Sequence, residues 1–254
     1  MLLAIDAGNT NIVIGIHDGS SWLNHWRIRT VAEKMPDEYR VILKQLLQDG
    51  GLGPADIRQV VISSVVPQLT GKLKEMAVNL TGKPPVIVGP GVKTGIKIRT
   101  SNPSEVGTDL VCNAVAAWNR FKQNCIVIDF GTALTFTAIS AAGEMQGVAI
   151  APGLQAAAES LSKATAQLPQ VWLEQPSTVL GKNTIHSIQA GIFFGYTGLV
   201  EKIVEKMKQE ITGDVIVIGT GGRADIIAPL TDAISVIEPW LILEGLRIIA
   251  DLNA

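Results

Sequence analysis

The sequence predicts an α/β protein built from one unit used twice, each copy a mixed five-stranded sheet with flanking helices. Three observations carry this. Asp6-Ala-Gly-Asn-Thr and Asp129-Phe-Gly-Thr-Ala are the same device, an acidic residue that ends an apolar run, then glycine, threonine and a second apolar run. Val, Ile, Thr and Phe fill the flanks, so residues 2–16 read as strand, tight turn, strand, and residues 125–139 repeat that reading 123 residues later. In each half a hairpin succession of three strands then gives way to alternating helix and strand, the order expected of a mixed sheet with helical cover.

In chain order, the first half has strands at 2–6, 11–17 and 22–28, a helix at 36–49, a strand at 58–64, a helix at 68–80 and a strand at 85–88. Pro36 followed by Asp37 and Glu38 makes a good helix start, and Gly50-Gly51 a good stop. A further helix, taken to start at Ser104, carries Asp109 in its first turns, with Glu105 and Asn113 on the same stripe at i−4 and i+4. The second half has strands at 125–129, 133–140 and 144–150, helices at 153–166 and 184–210, a strand at 214–218, and helices at 222–229 and 240–252. A polar stretch at 119–124 marks the boundary, giving domains 1–120 and 121–254.

The chain of 254 residues is long enough for two modest cores, and 47% hydrophobic with 17% charged residues describes a well-packed globular protein. No apolar run approaches membrane-spanning length, because Asp6, Asn9 and Asn11 interrupt residues 2–16, and the N-terminus lacks the basic region of a signal peptide. A cytoplasmic protein is expected, with no membrane partner. A net charge of −2 without a basic patch speaks against nucleic acid as a partner, since Lys202, Lys206 and Lys208 alternate with Glu201, Glu205 and Glu210 as on a solvated helix face. Cys112 and Cys125 sit in apolar surroundings without metal-ligand spacing and read as buried thiols, and His17, His25 and His186 are scattered.

A single D-x-G between apolar segments is usually a hairpin turn, since Asp and Gly favour positive φ. Two copies in matching contexts favour phosphate chemistry. Glycine lets the backbone approach a phosphoryl group, peptide N–H groups and a threonine hydroxyl donate to it, and a carboxylate can hold a charge-offsetting cation. Two such turns facing each other would clamp a polyphosphate between two domains. Neither G-x-x-x-x-G-K-[ST] nor a G-x-G-x-x-G after the first strand is present, which excludes Walker-type and Rossmann sites. Gly219-Thr-Gly-Gly222 is open to two readings, a tight strand-to-helix loop or backbone packed on a nucleotide near a helix N-terminus. By spacing alone, Asp109 is best read as complementing the helix dipole. Asp129 ends a buried strand, where a carboxylate is costly unless cation-bound or well hydrogen-bonded.

Further motifs run in order along nearly the whole chain: Asp6-x-Gly-Asn-Thr-Asn11, Gly89-Pro-Gly-Val-Lys-Thr-Gly95, Asn102-Pro-x-Glu-Val-Gly107, Asp129-Phe-Gly-Thr132, Ala151-Pro-Gly153, Gly181-Lys-Asn-Thr184 and the glycine-bearing segment 191–198. Together they resemble the type III pantothenate kinases, within the actin, Hsp70 and sugar-kinase superfamily. The resemblance implies two RNase H-like, actin-like ATPase domains and the phosphorylation of pantothenate by ATP, the first step towards coenzyme A. It implies that Asp6, Ala7, Gly8, Asn9, Thr10, Asn11, Ile12 and Val13 bind the ATP phosphates, joined by Gly131 and Thr132 from the second turn. It implies that Asp109 is the catalytic base, that Asp129 holds K⁺ or NH₄⁺ while Mg²⁺ arrives on ATP, and that Thr100, Gly107, Thr108, Asp109, Leu110 and Thr184 line the acceptor site. A homodimer with acceptor pockets near its interface is also implied; the smooth stretch Ala190-Gly-Ile-Phe-Phe-Gly195 would serve that or be buried within the domain.

The departures from the family pattern concentrate on the acceptor side. Gly107-Thr-Asp-Leu110 stands where the family has Gly-Ala-Asp-Arg, Thr100 where it has tyrosine, Leu134 where it has threonine, and Val148 where it has a second glycine. Arginine is a natural carboxylate anchor and leucine cannot donate; Lys97, Arg99 and Lys163 are candidate substitutes. Two other readings remain, a kinase for a related hydroxyl compound and a nucleotide-binding regulatory protein without transfer activity. A retained base argues against the second.

Overall fold

A computed structural model describes all residues, Met1–Ala254. They form two compact units, one of Met1–Lys97, Ser101–Asn119 and Leu241–Ala254, the other of Ile98–Thr100 and Arg120–Trp240.

In unit one, β1 (Leu2–Ala7), β2 (Asn11–His17) and β3 (Trp22–Arg29) form an antiparallel meander, and β4 (Gln59–Ser64) and β5 (Val86–Ile87) extend it in parallel on the other side of β1. The order is β3-β2-β1-β4-β5. Every residue of β1 is buried, as befits a central strand covered on both faces. One face carries Leu3, Ile5, Ile14 and Ile62 against α1 (Pro36–Asp49) and α2 (Pro67–Thr81), whose buried residues Tyr39, Leu43 and Leu47, and Leu69, Leu73 and Met76, recur at helical spacing. The Glu38 carboxylate accepts from the Met35 N–H at 2.8 Å and starts α1. Gly82, at φ 71°, ends α2.

The alternate side chains of β1 and β4, Ala4, Asp6, Val61 and Ser63, point to the opposite face. That face receives α3 (Thr108–Phe121) and α7 (Leu241–Leu252). A Cβ at Gly245 of α7 would collide with the Cys112 carbonyl of α3, so glycine permits the close approach of the two helices. Domains of 1–120 and 121–254 therefore do not describe the C-terminus. Leu241, Leu243, Leu246 and Ile249 make α7 apolar on one side, and that side is buried on β1 and β4 rather than in unit two.

Unit two repeats the plan. β7 (Asn124–Phe130), β8 (Ala133–Ile139) and β9 (Glu144–Pro152) form the meander, and β10 (Val215–Thr220) and β11 (Val236–Ile237) run parallel beside β7. This sheet has six strands where five were expected, because the two-residue β6 (Lys97–Ile98) adds to β9 at its edge. Such a short strand leaves no alternation to read in the sequence. Helices α4 (Leu154–Ala164) and α5 (Thr184–Glu210) pack Leu154, Ile188, Ile192, Tyr196 and Val200 against Ile126, Ile128, Phe130 and Phe136. The helix expected at 222–229 is one turn of α helix, α6 (Ala224–Ile227), followed by a 3-10 turn at Ala228–Leu230.

Candidate active site

The repeat places the two aspartates equivalently. Asp6 lies beside Ser63 across the parallel pair β1/β4, and Asp129 beside Thr220 across β7/β10. Each acidic residue is thus at the C-terminal end of a central strand with a hydroxyl-bearing neighbour. Strands that end in polar residues after an apolar run were the signal for Ser63 and Thr220, which sequence reasoning passed over.

In unit one the hairpin turn is closed by the Gly8 N–H donating to the Asn11 carbonyl at 3.0 Å. Thr30 braces it, its hydroxyl donating to the Gly8 carbonyl at 2.7 Å and its N–H to the Thr10 carbonyl at 2.9 Å. Asn9, Thr10 and Asn11 are exposed at the tip, Ala7 and Ile12 are buried in the core, and Val13 is half-buried. What Ala7 and Ile12 present to a ligand is therefore backbone. Neither Gly8 nor Gly131 has a positive φ, so turn strain does not explain either glycine. A Cβ at Gly8 would lie 3.2 Å from the Asn11 carbonyl, and one at Gly131 3.4 Å from that of Ala133.

α3 begins at Thr108, later than expected. The Asn102-Pro103 signal is consumed by a 3-10 turn at Pro103–Glu105, where the Glu105 carboxylate accepts from Asn102 Nδ2 at 2.6 Å instead of joining the Asp109 stripe. Gly107 leaves room for the Asp109 carboxylate, which a Cβ at that position would meet. The Leu110 N–H donates to Asp109 Oδ1 at 2.8 Å, so the helix-terminus role read from spacing is real. Burial outweighs that bond and raises the Asp109 pKa from its ordinary value. Beside it the hydroxyls of Thr108 and Ser63 are 2.9 Å apart. Cys112, one turn further, is fully buried, its thiol pushed well up by burial and then by the charges of Asp6 and Asp109. Leu110 is itself in the core, 8% exposed.

In unit two the Gly131 N–H closes its turn on the Ala133 carbonyl at 3.1 Å and Thr132 is exposed. The Ala151-Pro-Gly153 motif has a physical reason here. The Gly153 N–H donates to the Thr132 carbonyl at 3.1 Å, and a Cβ on Gly153 would strike the carbonyls of Gly131 and Thr132. The Tyr196 hydroxyl, donating to the Pro152 carbonyl at 2.7 Å, ties α5 to the same segment. Gly221, at φ +89°, packs on the Asp129 carboxylate and the Phe130 backbone with no space for a side chain. The glycine loop after β10 thus closes over Asp129, while α6 is too short to offer much of a helix N-terminus. Thr135, the cross-strand partner of Asp129, shares its face of the sheet, and its Oγ1 is buried without a hydrogen-bond partner.

The remaining acceptor-side residues lie in unit two. Thr184 is the exposed first residue of α5, which Asn183 caps by accepting the His186 N–H at 2.9 Å. Thr100 is half-buried, and Oγ1 has no partner. Arg99 is held by Glu144 at 2.7 Å and Lys163 by Glu159 at 3.4 Å.

Two α/β units, each with an acidic-glycine-threonine hairpin at the C-terminal end of its central strands, define the duplicated fold of actin-like ATPases and sugar kinases. Solved structures agree on the fold. A Campylobacter jejuni protein assigned to the Baf family of transcriptional activators matches with a TM-score of 0.60 at 19% identity over 99% of this chain and 98% of its own. The ROK hexokinase of Thermus thermophilus matches at 0.50 and 13%, over 99% of both chains.

The chain belongs to the type III pantothenate kinase family, whose profile matches residues 2–206. It is 47% identical to the type III pantothenate kinase of Geobacter sulfurreducens, over 100% of this chain and 99% of that one. It is 48% identical to that of Moorella thermoacetica, over 100% of both. The resemblance carried by the sequence motifs is borne out.

Proposed function

We infer that the protein transfers the γ-phosphoryl group of ATP to the primary hydroxyl of pantothenate, the first step towards coenzyme A. The observation that carries the chemistry is Asp109, a carboxylate whose proton affinity is raised by burial at the start of α3, in a chain belonging to this family. Asp109 takes the hydroxyl proton, the oxygen attacks the γ-phosphorus, and the bond to the β-phosphate oxygen breaks to release ADP. Little covalent help is needed beyond that. The N–H groups of the first turn with Asn9, Thr10 and Asn11, and Gly131 with Thr132, donate to phosphate oxygens.

Asp129 and the orphaned Thr135 hydroxyl form an oxygen donor pair suited to K⁺ or NH₄⁺, a cation that offsets phosphate charge. Mg²⁺ arrives with ATP, and no group of three or more His, Cys, Asp or Glu residues offers an all-protein metal cage. Leu110 is buried and apolar, so the acceptor carboxylate must find its partner elsewhere than at this position. Purified protein should release ADP from MgATP only when pantothenate is added, and faster in K⁺ than in Na⁺ at equal ionic strength. Pantothenate-independent turnover sinks the assignment of acceptor, and equal rates in the two salts sink the cation site at Asp129.

The reading includes a homodimer built on α5. Gly191, Gly195 and Gly198 lie on one exposed face of that helix, and a Cβ on any of them would meet nothing within 4 Å. Each costs about 1 kcal/mol of helix stability relative to alanine without any benefit inside the chain. No helix is long and apolar enough to cross a membrane, and two free buried thiols suit a reducing cytoplasm. Light scattering at micromolar concentration should give twice the chain mass, and Gly195→Leu should give the monomer with its fold intact. A Gly195→Leu dimer, or a monomeric native protein, removes α5 as the interface.

A further inference from the structure

The base is attached to the sheet of unit one through a neighbour rather than directly. The Asp109 carboxylate is bonded to its own helix, through the Leu110 N–H, and has no bond to β1 or β4. Where it points therefore depends on the height and rotation of the first turn of α3. That turn is pinned at one place by side chains. Ser63 Oγ, on a fully buried residue next to the end of β4, lies 2.9 Å from Thr108 Oγ1 and also hydrogen-bonds the Cys112 side chain. Thr108 and Cys112 are one turn apart on the same stripe, so a single hydroxyl fixes both ends of that turn, with Asp109 immediately beside it. Ser63 is in turn the cross-strand neighbour of Asp6, so the helix carrying the base and the strand feeding the first phosphate turn share one reference point.

We propose that the Ser63–Thr108 hydroxyl pair is the positioning device for Asp109, setting the direction of the base through the first turn of α3. The proposal rests on the reading of Asp109 as the base, and it asks more of the pair than stability. Burying two hydroxyls against each other gives a directional bond that a methyl group in the same volume cannot supply. A displacement of about 1 Å at a reacting group costs up to roughly 10²-fold in rate. Loss of the pair should lower turnover while leaving nucleotide affinity alone.

Ser63→Ala, Thr108→Val and the double variant distinguish this from a filler role. Each single variant should lower kcat about tenfold with KM for ATP unchanged, and the double variant should be no worse than either single, as expected of two groups acting through one bond. Ser63→Thr, which keeps the hydroxyl, should restore most of the rate. The acidic limb of the kcat profile, and the Asp109 carboxyl titration followed by ¹³C NMR in the resting protein, should both move to lower pH in Ser63→Ala, because a loosened helix start admits water to the carboxylate. The proposal is overturned by kcat within twofold of native in Ser63→Ala, by additive losses in the double variant, or by an unchanged carboxyl titration. A native protein inactive with pantothenate is a separate result, which overturns the functional reading, and the NMR titration still tests the pair in that case.

Discussion

Asp109→Asn should lower kcat by about 10² to 10⁴, the range expected for loss of a general base, with ATP affinity near native. Asparagine keeps the size of the side chain and can still accept the Leu110 N–H through its amide oxygen, so the start of α3 survives and the loss reports proton transfer alone. The same variant should be more stable than the native protein at neutral pH. Burial raises the folded-state pKa of Asp109 above its unfolded value of about 3.9. The native state therefore holds this proton more tightly, and the associated stability is full below the unfolded pKa and is lost as pH rises through the folded one. At pH 7 the charged carboxylate is a liability that the amide removes. Thermal melts should put Asp109→Asn above native at pH 7, with the advantage shrinking as pH falls through the raised folded-state pKa and gone below about 4. Turnover within tenfold of native would return Asp109 to a helix-terminus role, and a lower Tm at pH 7 would contradict the electrostatic account.

Gly153→Ala should cost about 10²-fold in kcat/KM for ATP, the scale of a misplacement of roughly 1 Å. The added methyl has no place to go, because it is aimed at the carbonyls of Gly131 and Thr132, and both belong to the backbone of the second hairpin turn. A flexible side chain could swing away, but here the turn itself must shift, and with it the Thr132 hydroxyl and the Gly131 N–H. Overpacking of this kind costs about 1–3 kcal/mol, so Tm should also fall. Gly147→Ala is the control, on the strand that leads to Gly153 and with open space around its Cβ, and should behave as native in both measurements. Native kinetics in Gly153→Ala would mean that the turn is pliable and does not set phosphate geometry.

The three-strand meanders and α1, α2 and α5 were legible because their signals are local, in β-branched runs, Pro at the first helical position and Gly past the last. The start of α3 was not, since Asn102-Pro103 looks like a helix start but Val106, at φ −71° and ψ 126°, returns to extended backbone and delays the helix to Thr108. Asp6, Asp129 and Asp109 could be singled out because an acidic residue in an apolar context is conspicuous. Ser63 and Thr135 could not, because a hydroxyl at a strand end is unremarkable until register shows which carboxylate it stands beside. The place of α7 was hidden for a similar reason. Its apolar stripe announces that it packs, and nothing in its residues says on which sheet.

That place reverses the usual order of folding during synthesis. Domains generally fold as they emerge, the N-terminal one first, yet here the sheet made first is covered on one face by a helix that follows the whole of residues 120–240 along the chain. At translation rates of about 5–20 residues per second, that sheet waits roughly 6–25 s for its cover. Unit two, apart from its edge segment at 98–100, is a single continuous stretch and can complete itself in that interval. The sheet that most needs shielding is therefore made well before its cover, with Ala4, Val61 and Gly15 as the surface left open until Leu243 and its neighbours arrive.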